Sequence, residues 1–71
     1  MARASFEVVP EQRMWAVRTG DGQQLSLQPE QERAVDFALE WAQANRPSRV
    51  ILRDREGLSV SEWTYGPDAQ D

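Results

Sequence analysis

The chain has 71 residues, enough for one domain with a single small core, since a domain of this size buries only about 60% of the surface its unfolded chain exposes. It contains no cysteine and no histidine, which removes disulfides, thiolate zinc sites, the commonest metal ligand and the usual general base together. Twelve acidic side chains against eight basic ones, all arginine, give a net charge of −4, the wrong sign for a general binder of phosphate backbones.

Residues 6–9 alternate apolar and charged side chains, Pro10 interrupts, and residues 14–18 resume an extended pattern after the polar turn Glu11, Gln12, Arg13. This is a strand–turn–strand hairpin. Side chains alternate with period two along a strand, so Phe6 and Val8 share one face, as do Trp15 and Val17, and these four are expected in the core. Residues 19–24 (TGDGQQ) mark a tight turn, and residues 25–27 are expected to form at most a brief extended piece leading into a helix.

Residues 29–45 (PEQERAVDFALEWAQAN) carry the one sustained helical periodicity. Ala34, Phe37, Ala38, Trp41 and Ala42 recur at spacings of three and four and form an apolar stripe, with charged and amide side chains around the rest of the wheel. Pro29 suits a first helical position, and Glu30 and Glu32 set negative charge against the positive end of the dipole. Asn45 is expected to close the helix in a left-handed conformation, and Pro47 cannot continue it. The alanines allow close approach to a sheet, with Phe37 and Trp41 expected to supply most of the buried area.

Residues 49–53 (RVILR) and 58–65 (LSVSEWTY) read as a second hairpin joined by Asp54, Arg55, Glu56 and Gly57. Here the pattern conflicts with itself. If Val50, Leu52, Leu58 and Val60 face the helix, strict alternation turns Trp63 and Tyr65 outward, towards Arg49, Ile51 and Arg53. A bulge near Ser61 or Glu62 would turn Trp63 inward instead.

Across nearly its whole length the chain resembles a small bacterial family, domain of unknown function 2188. The resemblance is carried by Val8-Val9-Pro10, Trp15-Ala16-Val17, Ala34-Val35 with Ala38 and Ala42, Val50-Ile51-Leu52, the turn ending at Gly57, and Thr64-Tyr65-Gly66. The chain departs from the family's pattern at Asn45-Arg46-Pro47, where a glycine is usual. The resemblance implies a ββαββ architecture and a bacterial origin, and it implies no mechanism.

No constellation specifies a chemistry. Asp54 and Glu56, with Asp21 elsewhere, lack calcium-loop spacing and are better read as turn residues. Gly20-Asp21-Gly22 lacks the lysine and the following helix of a phosphate cradle. Ser5, Ser26, Ser48, Ser59 and Ser61 have neither histidine nor lysine to activate them. No catalytic residue, metal ligand or cofactor is therefore expected, and no small-molecule substrate is evident.

The expected fold is α+β: a single domain over residues 1–71, ordered from about residue 5 to 66 with a short disordered C-terminal tail, forming one ββαββ layer pair. Its sheet is expected to be four-stranded and mainly antiparallel, with one helix on one face. The expected function is that of a small non-enzymatic interaction module, binding a protein partner or itself through the open sheet face or an edge strand. The candidate surface is Arg18, Arg49, Ile51, Arg53, Trp63 and Tyr65, with Met14 and Ala16 beside them. The alternative is an accessory nucleic-acid-binding domain using those arginines and aromatics, an arrangement met in surfaces that stack single strands and opposed here by the net charge. The first five residues are too few for a signal peptide and no apolar run approaches the roughly 20 residues of a membrane span, so the expected location is the cytoplasm.

Overall fold

The computed structural model describes residues 4–67. In chain order the elements are β1 (Ala4–Glu11), β2 (Met14–Thr19), β3 (Gln24–Gln28), α1 (Gln31–Ala44), β4 (Ser48–Arg53) and β5 (Ser59–Tyr65). They form a five-stranded sheet in the order β3-β2-β1-β4-β5 with the helix on one face. The expected tail at residues 69–71 lies outside the described residues. No described helix is long and apolar enough to cross a membrane.

The α+β class and the single helix agree with expectation, and the sheet differs in two respects that have one cause. Residues 25–27 belong to a full strand, β3, which pairs antiparallel with β2. Counting β3, the chain runs up, down and up before the helix returns it to its starting end, so β4 enters parallel to β1, with Ala4 opposite Ser48 and Val8 opposite Leu52. Without β3, the same helix would have delivered β4 antiparallel to β1. The sheet therefore has five strands where four were expected, and it is mixed, still mainly antiparallel but with β1 and β4 as its one parallel pair. The 14-residue helix is part of the long crossover that a parallel pair requires.

The core lies between sheet and helix. Phe6, Val8, Val17, Val50 and Leu52 point from the sheet, and Ala34, Ala38 and Ala42 meet them from the helix. All three alanines are fully buried, whereas Trp41 is 41% exposed. The expectation that Trp41 fills the core is thus overturned. A stripe of alanines brings the helix backbone close to the sheet and leaves no room for an indole beneath it, so the bulky residues sit on the flank. Trp41 packs there at 6.4 Å from the Phe6 ring centroid and 6.1 Å from that of Phe37, which is half-buried.

The helix ends also differ in detail from the reading of the sequence. Pro29 lies before the helix, and Glu30 is the N-cap residue in extended conformation, ion-paired through its carboxylate with Arg33 at 3.0 Å. Asn45 has φ −126°, outside the left-handed region. It closes the helix with its side chain instead: the amide donates to the Trp41 carbonyl at 2.7 Å, while its backbone N–H donates to the Ala42 carbonyl. The buried Ser48 hydroxyl also donates to that Ala42 carbonyl, tying the start of β4 to the helix end.

In the second hairpin the register settles the conflict of faces. Leu52 lies opposite Ser61 and Arg53 opposite Ser59, which leaves Val60 as the extra residue of a bulge. Tyr65 faces Ser48 and Trp63 faces Val50, both on the helix side, where both aromatics pack against the core. Leu58 and Val60, expected inward, are 61% and 59% exposed. Two apolar sets of opposite parity compete for one face. An aromatic side chain buries 150–250 Å² by rough measure, more than a leucine or valine, so the register that buries Trp63 and Tyr65 prevails.

Candidate interaction surface

On the sheet face that the helix leaves open, strand alternation and register assemble Met14, Ala16 and Arg18 from β2, Glu7, Val9 and Glu11 from β1, Arg49, Ile51 and Arg53 from β4, and Glu62 and Thr64 from β5. Four of the six candidate residues, Arg18, Arg49, Ile51 and Arg53, therefore share this face. Trp63 and Tyr65 do not join them. Tyr65 lies on the other side, accepting a hydrogen bond from the Gln43 amide at 3.3 Å, with the Arg46 guanidinium 4.9 Å from its ring centroid.

Charge, not apolar area, dominates the open face. Glu7 and Glu62 flank Ile51 across the neighbouring strands, and Arg49 and Arg53 flank it along its own. These four form two ion pairs, Arg53 Nε to Glu7 Oε1 at 3.5 Å and Arg49 Nη1 to Glu62 Oε2 at 3.7 Å. Arg18 pairs in the same way with Glu11. Long charged side chains cover apolar surface with their methylene stems while keeping their heads in water, and Ile51 is accordingly only 8% exposed although no helix lies over it. Ala16 is fully buried on the same face. The patch of tryptophan, tyrosine, isoleucine and methionine expected here does not exist.

Among the described residues the sheet instead ends in two edge strands, β3 and β5. Leu27 on β3 is 42% exposed, and Leu58 and Val60 bracket the start of β5 with more than half of each side chain in solvent. Leu27 pairs with Ala16 and so points to the open face. Sequence reasoning missed Leu27 because it treated residues 25–27 as a lead-in. The signal was present, since QLSLQ alternates polar and apolar residues as a half-buried strand does. Elsewhere, Glu40, Trp41, Ala44 and Asn45 line a shallow open depression of about 310 Å³ on the helix flank.

The acidic residues weighed as metal ligands serve the turns. The Asp54 carboxylate accepts the backbone N–H groups of Glu56 at 2.9 Å and Leu58 at 3.0 Å, shaping the loop in which Gly57 has φ 85°. The Thr19 hydroxyl donates to the Asp21 carboxylate, and a backbone hydrogen bond involving Gln23 adds to it; both hold the Asp21 carboxyl below its ordinary range. Among the described residues no group of three or more acidic side chains is placed to hold a metal ion.

A five-stranded mixed sheet covered by one helix, with a charge-paired open face and edge strands β3 and β5, defines the class: a small α+β domain in which three of the four exposed large apolar side chains among the described residues lie on or beside the edge strands. Residues 6–65 match the model of the family described as an uncharacterised protein conserved in bacteria, DUF2188, and the chain belongs to that family. No curated protein and no solved structure matches the chain.

Proposed function

We propose that this protein is a small non-enzymatic interaction module of the bacterial cytoplasm that engages protein partners by strand addition at a sheet edge. One observation carries the reading: of the four most exposed large apolar side chains among the described residues, Leu27, Leu58 and Val60 lie on or beside the two edge strands. An open edge presents unpaired N–H and C=O groups that a partner strand can satisfy, and neighbouring apolar side chains supply the area it buries. The open face supports partner binding less well, because its arginines are already paired with Glu7, Glu11 and Glu62.

The nucleic-acid reading has less support for the same reason. Its aromatics and arginines lie on opposite faces of the sheet, and its arginines would have to exchange carboxylates for phosphates in a chain of net charge −4. The test is capture of partners from the native cell by immobilised protein, comparing wild type, the edge variants Leu27→Lys and Val60→Lys, and the open-face variant Arg49→Ala/Arg53→Ala. Partners lost with an edge variant and kept with the open-face variant support the proposal. Capture that ignores both edges, or that disappears only with the arginines, overturns it; retention of nucleic acid that weakens steeply with salt would favour the alternative.

A further inference from the structure

The two edges differ in charge, and the difference names a partner for one of them. From Gly22 to Pro29, a run that contains all of β3, no residue is charged. The chain as a whole carries −4, so two copies repel each other, and pairing along this strand adds no direct contact between like charges to that repulsion. At β5 the central residue is Glu62, and antiparallel pairing of two copies about the middle of that strand would set it beside its twin. We infer that the β3 edge is a self-association site, where a second copy of this chain adds its own β3 in antiparallel register. This rests on the edge-strand reading above and names its partner.

The register follows from the bulge in β3. Arg18 pairs with Gln24 and Val17 with Ser26, which leaves Leu25 as the extra residue, packed against the core. A bulge interrupts regular pairing, so the usable edge is Ser26, Leu27 and Gln28. A twofold axis at Leu27 sets Leu27 against Leu27 of the second copy, both on the open face, and covers a side chain that is 42% exposed in one chain. On the helix side the same axis sets Ser26 opposite Gln28. These two already recognise each other within one strand, where the Gln28 amide donates to the Ser26 hydroxyl at 2.7 Å. The same donor and acceptor are therefore available across the axis. The two five-stranded sheets become one continuous sheet, and the interface is isologous, as a twofold requires. With only three residues per copy in regular pairing, association is weak and concentration-dependent.

Sedimentation velocity across a concentration series reaching about 1 mM tests the site, where even a dimer with a Kd of about 1 mM is half formed. Wild type and Val60→Lys should both shift towards twice the monomer mass. Leu27→Lys and Leu27→Glu, each placing like charges across the axis, should remain folded by circular dichroism and sediment as monomers. An equimolar mixture of the two Leu27 variants should associate again, because Lys and Glu then face each other. A wild type that stays monomeric throughout, a Leu27 variant that still associates, or a mixture that fails to recover overturns the inference. A monomeric wild type that still captures partners through β5 leaves the edge-strand reading standing without self-association. Association lost with Val60→Lys and kept in the Leu27 variants moves the self-contact to β5.

Discussion

Trp63 and Val50 lie directly opposite one another on β5 and β4, on the side of the sheet that the helix covers. This pairing decides what the other face can be. Had Trp63 pointed away from the helix, the open face would hold an aromatic patch unusual for a monomer. With Trp63 turned in, that face is a lattice of arginines and glutamates.

Trp63 and Trp41 accordingly differ in their contribution to stability. Trp63→Ala should cost about 3 kcal/mol, near the lower end for truncating a packed tryptophan, and Trp41→Ala only about 1–2 kcal/mol because much of its ring stays in solvent. Urea denaturation gives the order directly. A Trp41 variant less stable than the Trp63 variant would contradict the placement of both.

Ala38 is fully buried in the core between helix and sheet, so a larger side chain there must displace its neighbours. Ala38→Leu should destabilise the domain by about 1–3 kcal/mol, the usual range for overpacking, even though leucine is more apolar and a good helix former. A thermal midpoint at or above that of wild type would show a loosely packed interface.

Gln12 opens the two-residue turn between β1 and β2 with φ 58°, a conformation that costs a side chain but not glycine. Gln12→Gly should raise stability by about 0.5 kcal/mol, the relief of left-handed strain exceeding the extra entropy glycine brings to the unfolded chain. Its backbone carbonyl, which accepts a hydrogen bond from Arg55 at 3.2 Å, is unaffected by the change. A fall in the urea midpoint would count against the strain argument.

The ion pairs over Ile51 cover it, and they contribute little energy. A double-mutant cycle on Glu7 and Arg53 should return a coupling of about 0.2–1 kcal/mol that shrinks in molar salt, as expected for half-exposed pairs. A larger, salt-insensitive coupling would mean that the pair is desolvated.

Asp21 is held below its ordinary pKa first by the Thr19 hydroxyl and then by backbone hydrogen bonds. The folded carboxyl therefore keeps its proton off to lower pH than the unfolded one. Its contribution to stability is present above the unfolded value, near 3.8, and is lost as pH falls through the lower folded value. Thr19→Val removes the donor and should move the Asp21 titration, followed by carboxyl NMR, back up towards its ordinary range. An unchanged titration would assign the shift to the backbone alone.

Much of this fold is legible locally. The alanine stripe at Ala34, Ala38 and Ala42, the shared faces of Phe6 with Val8 and of Val50 with Leu52, and the placing of Arg49, Ile51 and Arg53 together on the opposite face of their strand all follow from the period of a single element. What an element does at long range is not local. QLSLQ is a strand because β2 offers it an edge, and once it is a strand the direction of β4 is decided with it. The β5 segment carries two apolar sets of opposite parity, and a one-residue slip exchanges the faces of a whole strand, so only packing against the helix could select Trp63 and Tyr65 over Leu58 and Val60. Trp41 makes the same point from the helix: periodicity put it on the apolar stripe, but the distance set by three alanines moved it to the rim, because side-chain volume in a contact is a property of both surfaces.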